Sequence, residues 1–176
     1  MDKNKKIRYR NPLSFLKKHA PPPCRVLDLG TKNEFSEIMI ENGYTVINTN
    51  GEDLDCDFKI IINQKVDLVT AFEIFEHMLA PYNILKALKT PKLIASVPLN
   101  LWFTDSYWNK NDDWDKHYHE FEPKQFDFLM KKTNWKILNS KKWSPPYQFN
   151  LGIRPIIRSF TNRYYIVHCE KNMLKA

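Results

Sequence analysis

Apolar and polar positions along the chain keep changing rhythm. Short apolar runs closed by glycine or proline predict buried strands, and apolar residues three or four apart predict helices. Residues 12–19, Pro-Leu-Ser-Phe-Leu-Lys-Lys-His, predict a short helix with Pro12 in its first turn and Pro21, Pro22 and Pro23 at its end. Residues 1–11 read as a loose leader. Cys24-Arg25-Val26-Leu27-Asp28-Leu29-Gly30 predicts a first buried strand. In 34–42, Phe35, Ile38 and Met39 fall at helical spacing, and Gly43 is placed to stop the helix. A second strand is predicted over 44–47, an acidic loop over 51–57 and a third strand within 57–62. The run 66–72 predicts a fourth strand, and 76–88 a helix broken or entered near Pro81. Residues 92–97 predict a fifth strand, stopped by Pro98. Residues 100–121 form a long polar and aromatic segment, of the kind that often carries function. Residues 123–132 are amphipathic, with Phe126, Leu129 and Met130 on one face. Two last strands are predicted over 135–140 and 164–169.

Strands alternating with helices predict a three-layer α/β protein built on a mostly parallel, doubly wound sheet. The last two strands, with no clear helix between them, predict an antiparallel edge. The 176 residues, 43% of them hydrophobic, suffice for one core and predict a single domain over 1–176.

Net charge is +7, much of it at the ends: Lys3, Lys5, Lys6, Arg8 and Arg10, then Arg154, Arg158, Arg163, Lys171 and Lys175. A positive surface suits anionic partners, but a Lys- and Asn-rich composition with solvated charges accounts for it better, so nucleic acid is not the expected partner. The three cysteines, Cys24, Cys56 and Cys169, form no CxxC pair. A disulfide framework and a zinc site are therefore not expected, and a reduced, cytoplasmic protein is. No apolar run approaches the roughly 18 residues of a membrane helix, and no apolar region follows the basic start as in a signal peptide.

Open sheets of this kind bind ligands beyond the C-terminal ends of their strands. The first strand ends at Asp28-Leu29-Gly30, where glycine lets backbone approach a ligand, and the next helix would offer N–H groups to a carboxylate or phosphate. The second strand runs out at Asn48-Thr49-Asn50, where a side chain could bond ribose hydroxyls. Asp53, Asp55 and Asp57 could accept from an adenine amino group. Phe72-Glu73 ends the fourth strand beside the expected ligand. Each has a plainer alternative: Asp28 capping a turn, the aspartates forming a solvated loop, Phe72 belonging to the core.

The stretch Val26-Leu27-Asp28-Leu29-Gly30 resembles the first motif of class I S-adenosylmethionine-dependent methyltransferases. The stretch Val66-Asp67-Leu68-Val69-Thr70-Ala71-Phe72-Glu73-Ile74-Phe75-Glu76-His77 resembles the fourth-strand segment of their subgroup of ubiquinone-biosynthesis type. Ile94-Ala95-Ser96-Val97-Pro98 resembles the fifth strand, and Tyr118-His119-Glu120-Phe121-Glu122-Pro123 the segment before the next helix. The resemblance spans roughly residues 24–140 and implies S-adenosylmethionine as cofactor, held by Asp28, Gly30, Thr31, Lys32, Asn50, Asp55, Phe72 and Glu73. It departs from the family where Lys32 and Glu34 replace loop glycines, where Asn50 replaces the acidic residue after the second strand, and where the segment between strands two and three is short. Lys32 could pair with the cofactor carboxylate.

Methyl transfer needs positioning, a dry pocket and, for a hydroxyl or protonated amine, a general base. His117 and His119 are the candidates, with Glu120 and Glu73 behind them. His119 has a structural alternative, bonding a backbone carbonyl to pin the loop, and His77 one of packing near its helix start. His117 and His119 with Asp113 or Asp115 would bind a metal only with a third ligand, which the sequence does not supply, so no metal is expected. Trp102, Phe103, Tyr107, Trp108, Trp114 and Tyr118 suit either an apolar acceptor pocket or a lid. The expected function is thus methyl transfer from S-adenosylmethionine to a small-molecule acceptor, apolar or anionic, under residues 99–121. The alternative is a non-catalytic protein of the same fold, serving as partner or scaffold. A dinucleotide-dependent oxidoreductase is disfavoured, because Gly-x-Gly-x-x-Gly is absent.

Overall fold

A computed structural model describes residues 3–62, 64–144 and 161–172, with side chains from Arg8 onward. Arg154, Arg158 and Lys175, counted above among the terminal charges, lie outside the described residues.

The chain order is α1 (Lys3–His19), β1 (Cys24–Asp28), α2 (Glu34–Glu41), β2 (Tyr44–Asn48), α3 (Lys59–Ile62), β3 (Leu68–Phe72), a 3-10 turn (Phe75–His77), α4 (Pro81–Ala87), β4 (Lys92–Pro98), α5 (Pro123–Lys132), β5 (Trp135–Trp143) and β6 (Tyr164–Lys171). Six strands form one sheet in the order β2-β1-β3-β4-β6-β5. The first four run parallel, and β6 is antiparallel to both β4 and β5. The expected α/β sheet with an antiparallel edge is what forms.

Two apolar layers sandwich the sheet. On one face Leu27, Val69, Leu93, Ala95 and Val167 meet α4 and α5 through Ile84, Leu85, Phe126 and Met130. On the other, Val26, Leu68, Ile94 and Ile166 meet α1 and α2 through Phe15, Leu16, Ile38 and Met39. Alternate residues of each central strand thus feed opposite cores, which is why β1, β3 and β4 read as continuous apolar runs.

Two elements differ from the sequence reading. The segment 57–62 is not a strand. Asp57 accepts the Lys59 N–H at 3.1 Å, Phe58 O accepts from Ile61 and Ile62, and Ile61 is buried, so the apolar run closes into the short helix α3. Residues 3–11 are not loose: α1 begins at Lys3 and carries Pro12 in its interior. Tertiary contacts hold the turns before the proline, for Tyr9 stacks on Phe35 with ring centroids 5.0 Å apart. No helix among the described residues is long and apolar enough to cross a membrane.

Candidate functional site

The parallel register sets Asp28 level with Asn48 on one side and Thr70 on the other. The three strand ends therefore meet in a buried polar knot. Thr70 Oγ1 donates to Asp28 Oδ1 at 2.6 Å, while Ser36 Oγ (3.2 Å) and Asn48 Nδ2 (3.1 Å) donate to Oδ2. Burial nonetheless pushes the Asp28 carboxyl up to about 6, with the three hydrogen bonds opposing it. Asp28 thus ties β1, β2, β3 and α2 together.

Gly30 follows with φ +114°, and a Cβ there would stand 3.1 Å from Ile74 Cδ1. Its N–H donates to Thr49 Oγ1 at 2.8 Å. Glycine is needed here for both backbone and space. The N-terminus of α2 is not open as expected. Asn33 Oδ1 accepts the N–H groups of Phe35 and Ser36, and the Asn33 N–H donates to Ser36 Oγ, closing a capping box.

A cavity of about 540 Å³ opens at the C-terminal ends of β1 and β3, the point where the strand order reverses. Asp28, Leu29, Phe35, Phe72 and Glu73 form its floor side, and Arg8, Tyr9 and Pro12 of α1 form one wall. A second cavity, about 430 Å³, lies under residues 99–108 and includes Glu120. Both are lined by Glu73, Tyr107, His117 and Tyr164, so the two adjoin.

Glu73 stands at that junction in left-handed backbone, φ +56°. Such a conformation is costly for a side-chain-bearing residue and clusters at functional sites. Its carboxylate lies 3.5 Å from the Arg8 guanidinium. Burial raises its pKa, and the Arg8 charge pulls it back. Glu76, one turn on, is 1% exposed, and its Oε2 has no hydrogen-bond partner among the described residues. Burial holds its carboxyl well above the usual range, and the Glu73 charge adds to this. His117 packs edge-on against His77 (centroids 4.9 Å apart) and near Tyr107 (5.2 Å). Burial and then the His77 charge lower its pKa, against the pull of Asp115.

The structure sorts the expected site residues. Phe72, Glu73, Asp28 and His117 line the first cavity, and Glu120 the second. Thr31, Lys32, Asn50, Asp55 and His119 line neither. Lys32 lies 3.6 Å from Glu37 in solvent. Thr31 is exposed, its carbonyl accepting from Asn33. The Asn50 side chain bonds Glu52. Both Asp55 oxygens accept backbone N–H groups, of Leu79 at 2.8 Å and Ala80 at 2.7 Å, and so hold the entry to α4. His119 Nε2 lies 3.2 Å from the Leu79 carbonyl, the loop-pinning alternative. The ligand atoms of His117 converge with those of His77 and Glu76, and Asp115 lines the same cavity. Asp113 pairs with Lys116, and Asp115 accepts from Tyr107 and Asn109.

Arg8, Tyr9 and Tyr164 were not legible as site residues. Glu76 and His77 carried a signal, the Glu-His pair just past a strand end, that pointed to the family but not to a role.

No protein-family model matches the chain, and no curated protein matches it by sequence. Solved structures do match. An S-adenosylmethionine-dependent methyltransferase from Mesorhizobium loti superposes with a TM-score of 0.62 at 12% identity, covering 94% of this chain and 98% of that one. One from Archaeoglobus fulgidus gives 0.60 at 16%, covering 95% and 93%. The 1,6-didemethyltoxoflavin-N1-methyltransferase of Burkholderia thailandensis, with 1,6-didemethyltoxoflavin and S-adenosylhomocysteine bound, gives 0.59 at 16%, covering 92% and 77%. The chain has the class I S-adenosylmethionine-dependent methyltransferase fold.

Proposed function

We propose that the protein is an S-adenosylmethionine-dependent methyltransferase acting on a small-molecule acceptor. The observation that carries this reading is the pair of adjoining cavities at the strand switch point, meeting at Glu73 and His117. A bisubstrate transfer needs two such compartments open to one another. The first, at about 540 Å³, lies within the range of small-molecule sites.

The residues present fit the cofactor in part. The Gly30 turn and the open floor of Leu29 and Phe72 leave room for it. Asp28 acts within that floor by holding the strand ends, while the side chains of Asn50 and Asp55 bond protein groups. Bound there, S-adenosylmethionine supplies an electrophilic methyl group on a cationic sulfur. Glu73 offers a carboxylate at the junction, positioned to favour that positive charge. His117 lines both cavities, which puts its imidazole within reach of the acceptor. Glu120 faces the acceptor from the far side of the second cavity. The aromatic loop over that cavity puts Tyr107 and Trp108 on its lining, which favours an acceptor with apolar surface. The reaction belongs in the cytoplasm, where the three unpaired thiols stay reduced.

Calorimetric titration and thermal shift with both cofactor forms test the reading. S-adenosylhomocysteine at about 100 times its dissociation constant adds about 2.7 kcal/mol of stability. Glu73→Gln weakens S-adenosylmethionine, which is cationic at sulfur, and leaves the neutral homocysteine form unchanged. Absence of any shift at millimolar ligand overturns the proposal in favour of a non-catalytic scaffold of the same fold. Equal losses for both forms remove Glu73 from the sulfonium.

A further inference from the structure

We propose that Glu76, His77 and His117 form a binding site for one divalent transition-metal ion, of the zinc, cobalt(II) or iron(II) class, at the junction of the two cavities. Their candidate ligand atoms all lie within 4.8 Å of one another, and all three residues line the larger cavity.

The argument begins with Glu76. Its carboxyl is buried, and its Oε2 meets no donor among the described residues. His77 Nε2 is 3.9 Å from Oε1, too far for a hydrogen bond. A carboxylate taken out of water needs a compensating partner, and a cation supplies one.

His77 is oriented for ligation. Its Nδ1 lies 3.1 Å from the Lys116 carbonyl oxygen. That oxygen can only accept, so Nδ1 carries the proton and Nε2 is left as a lone pair. A backbone carbonyl fixing the far nitrogen is the usual outer-shell partner of a metal-bound imidazole. The ring of His117 stands edge-on to that of His77, bringing a second imidazole to the same point.

Two imidazoles and one carboxylate suit a borderline ion rather than calcium or magnesium, which prefer oxygen ligands. A tetrahedral ion with bonds of about 2 Å sets its donors roughly 3.3 Å apart. Side-chain rotation of about an ångström closes the present spacing. Three protein ligands leave a fourth position open to the cavity, as in catalytic rather than structural sites. An oxygen ligand, water or an acceptor hydroxyl, would fill it. That last assignment rests on the methyl-transfer reading; the ion site itself does not.

Cobalt(II) is the probe. Protein stripped with chelator is titrated with Co2+, and visible d–d absorption is followed. One equivalent gives a saturable band that Zn2+ abolishes. Loss of an outer-shell partner usually costs about 10–100-fold in metal affinity, so Glu76→Gln, His77→Ala and His117→Ala should each weaken cobalt by at least roughly a hundredfold. His119→Ala, beside the site but tied to Leu79, binds as the wild type does. Glu76→Gln also guards against mere unfolding: relieved of a buried carboxyl, the stripped variant melts no lower than the stripped wild type, yet gains nothing from metal. A wild type without a saturable band, or triad variants that bind normally, overturns the site. Binding of S-adenosylhomocysteine to the stripped protein is measured alongside. Cobalt failing while that ligand binds removes the metal and leaves the methyltransferase; the reverse result leaves the metal site alone.

Discussion

Asp28 is the residue on which the cavity floor depends, and it carries an electrostatic cost. Its carboxyl titrates at about 6 in the fold, against 3.8 unperturbed, because burial outweighs the bonds from Thr70, Ser36 and Asn48. Between roughly pH 4 and pH 6 the folded chain holds a proton that the unfolded chain has lost. Stability therefore falls as pH rises through that window and levels off above it, by about 3 kcal/mol in all. Asp28→Asn has no such titration. Its unfolding free energy relative to wild type, from denaturant melts at pH 4, 5, 6 and 7, should rise across the window and then stay flat. A difference independent of pH would show that Asp28 is charged at no special cost. The sequence singled out Asp28, yet its role as a strand-end tie is visible only once parallel register places Thr70 and Asn48 beside it.

Helix α1 has two functions at the scale of elements. Its C-terminal half packs Phe15 and Leu16 into one core layer. Its N-terminal half walls the larger cavity through Arg8 and Tyr9. A stacked aromatic pair such as Tyr9 with Phe35 contributes about 0.5–1.5 kcal/mol. Tyr9→Ala should then speed dissociation of S-adenosylhomocysteine by about two- to tenfold, read by stopped-flow displacement. An unchanged rate would make α1 a scaffold rather than a wall that ligand must pass. This half of α1 was illegible in sequence, since Pro12 reads as a helix start and a basic, polar run before it as leader. The helix α3 was misread for a different reason: a short apolar run fits strand and helix alike, and Asp57, acting as a cap, decides it. The strands β1, β3 and β4 were legible because both of their faces are buried, and an unbroken apolar run has few other uses.

At the scale of the whole molecule, the site joins parts of the chain far apart in sequence. The strand ends supply a rigid floor, α1 a wall, and residues 99–121 a roof. The floor was readable from motif order, because topology dictates where strand ends meet. The convergence of His117 with Glu76 and His77 was not, because it depends on how a long irregular segment folds back. That return is built from specific bonds. The N–H groups of Tyr118 and His119 both donate to the Glu76 carbonyl, at 2.8 and 3.2 Å, while His77 holds the Lys116 carbonyl and His119 the Leu79 carbonyl. The tip of the same roof, with Trp102, Trp108 and Trp114, stands exposed.

The roof is thus stitched down at both ends, through the Leu99 and Asn100 N–H groups at one and those of Tyr118 and His119 at the other, and amide hydrogen exchange would show the seam and the free tip as two clocks in one loop. Backbone protons of Tyr118 and His119, spent on the same carbonyl, should survive in heavy water for times approaching those of the β3 and β4 amides. Those of Trp102 and Trp114 should be lost far sooner. A single rate from 102 to 119 would mean that the roof lifts as one piece, and that the acceptor enters by opening the whole of it rather than past its free tip.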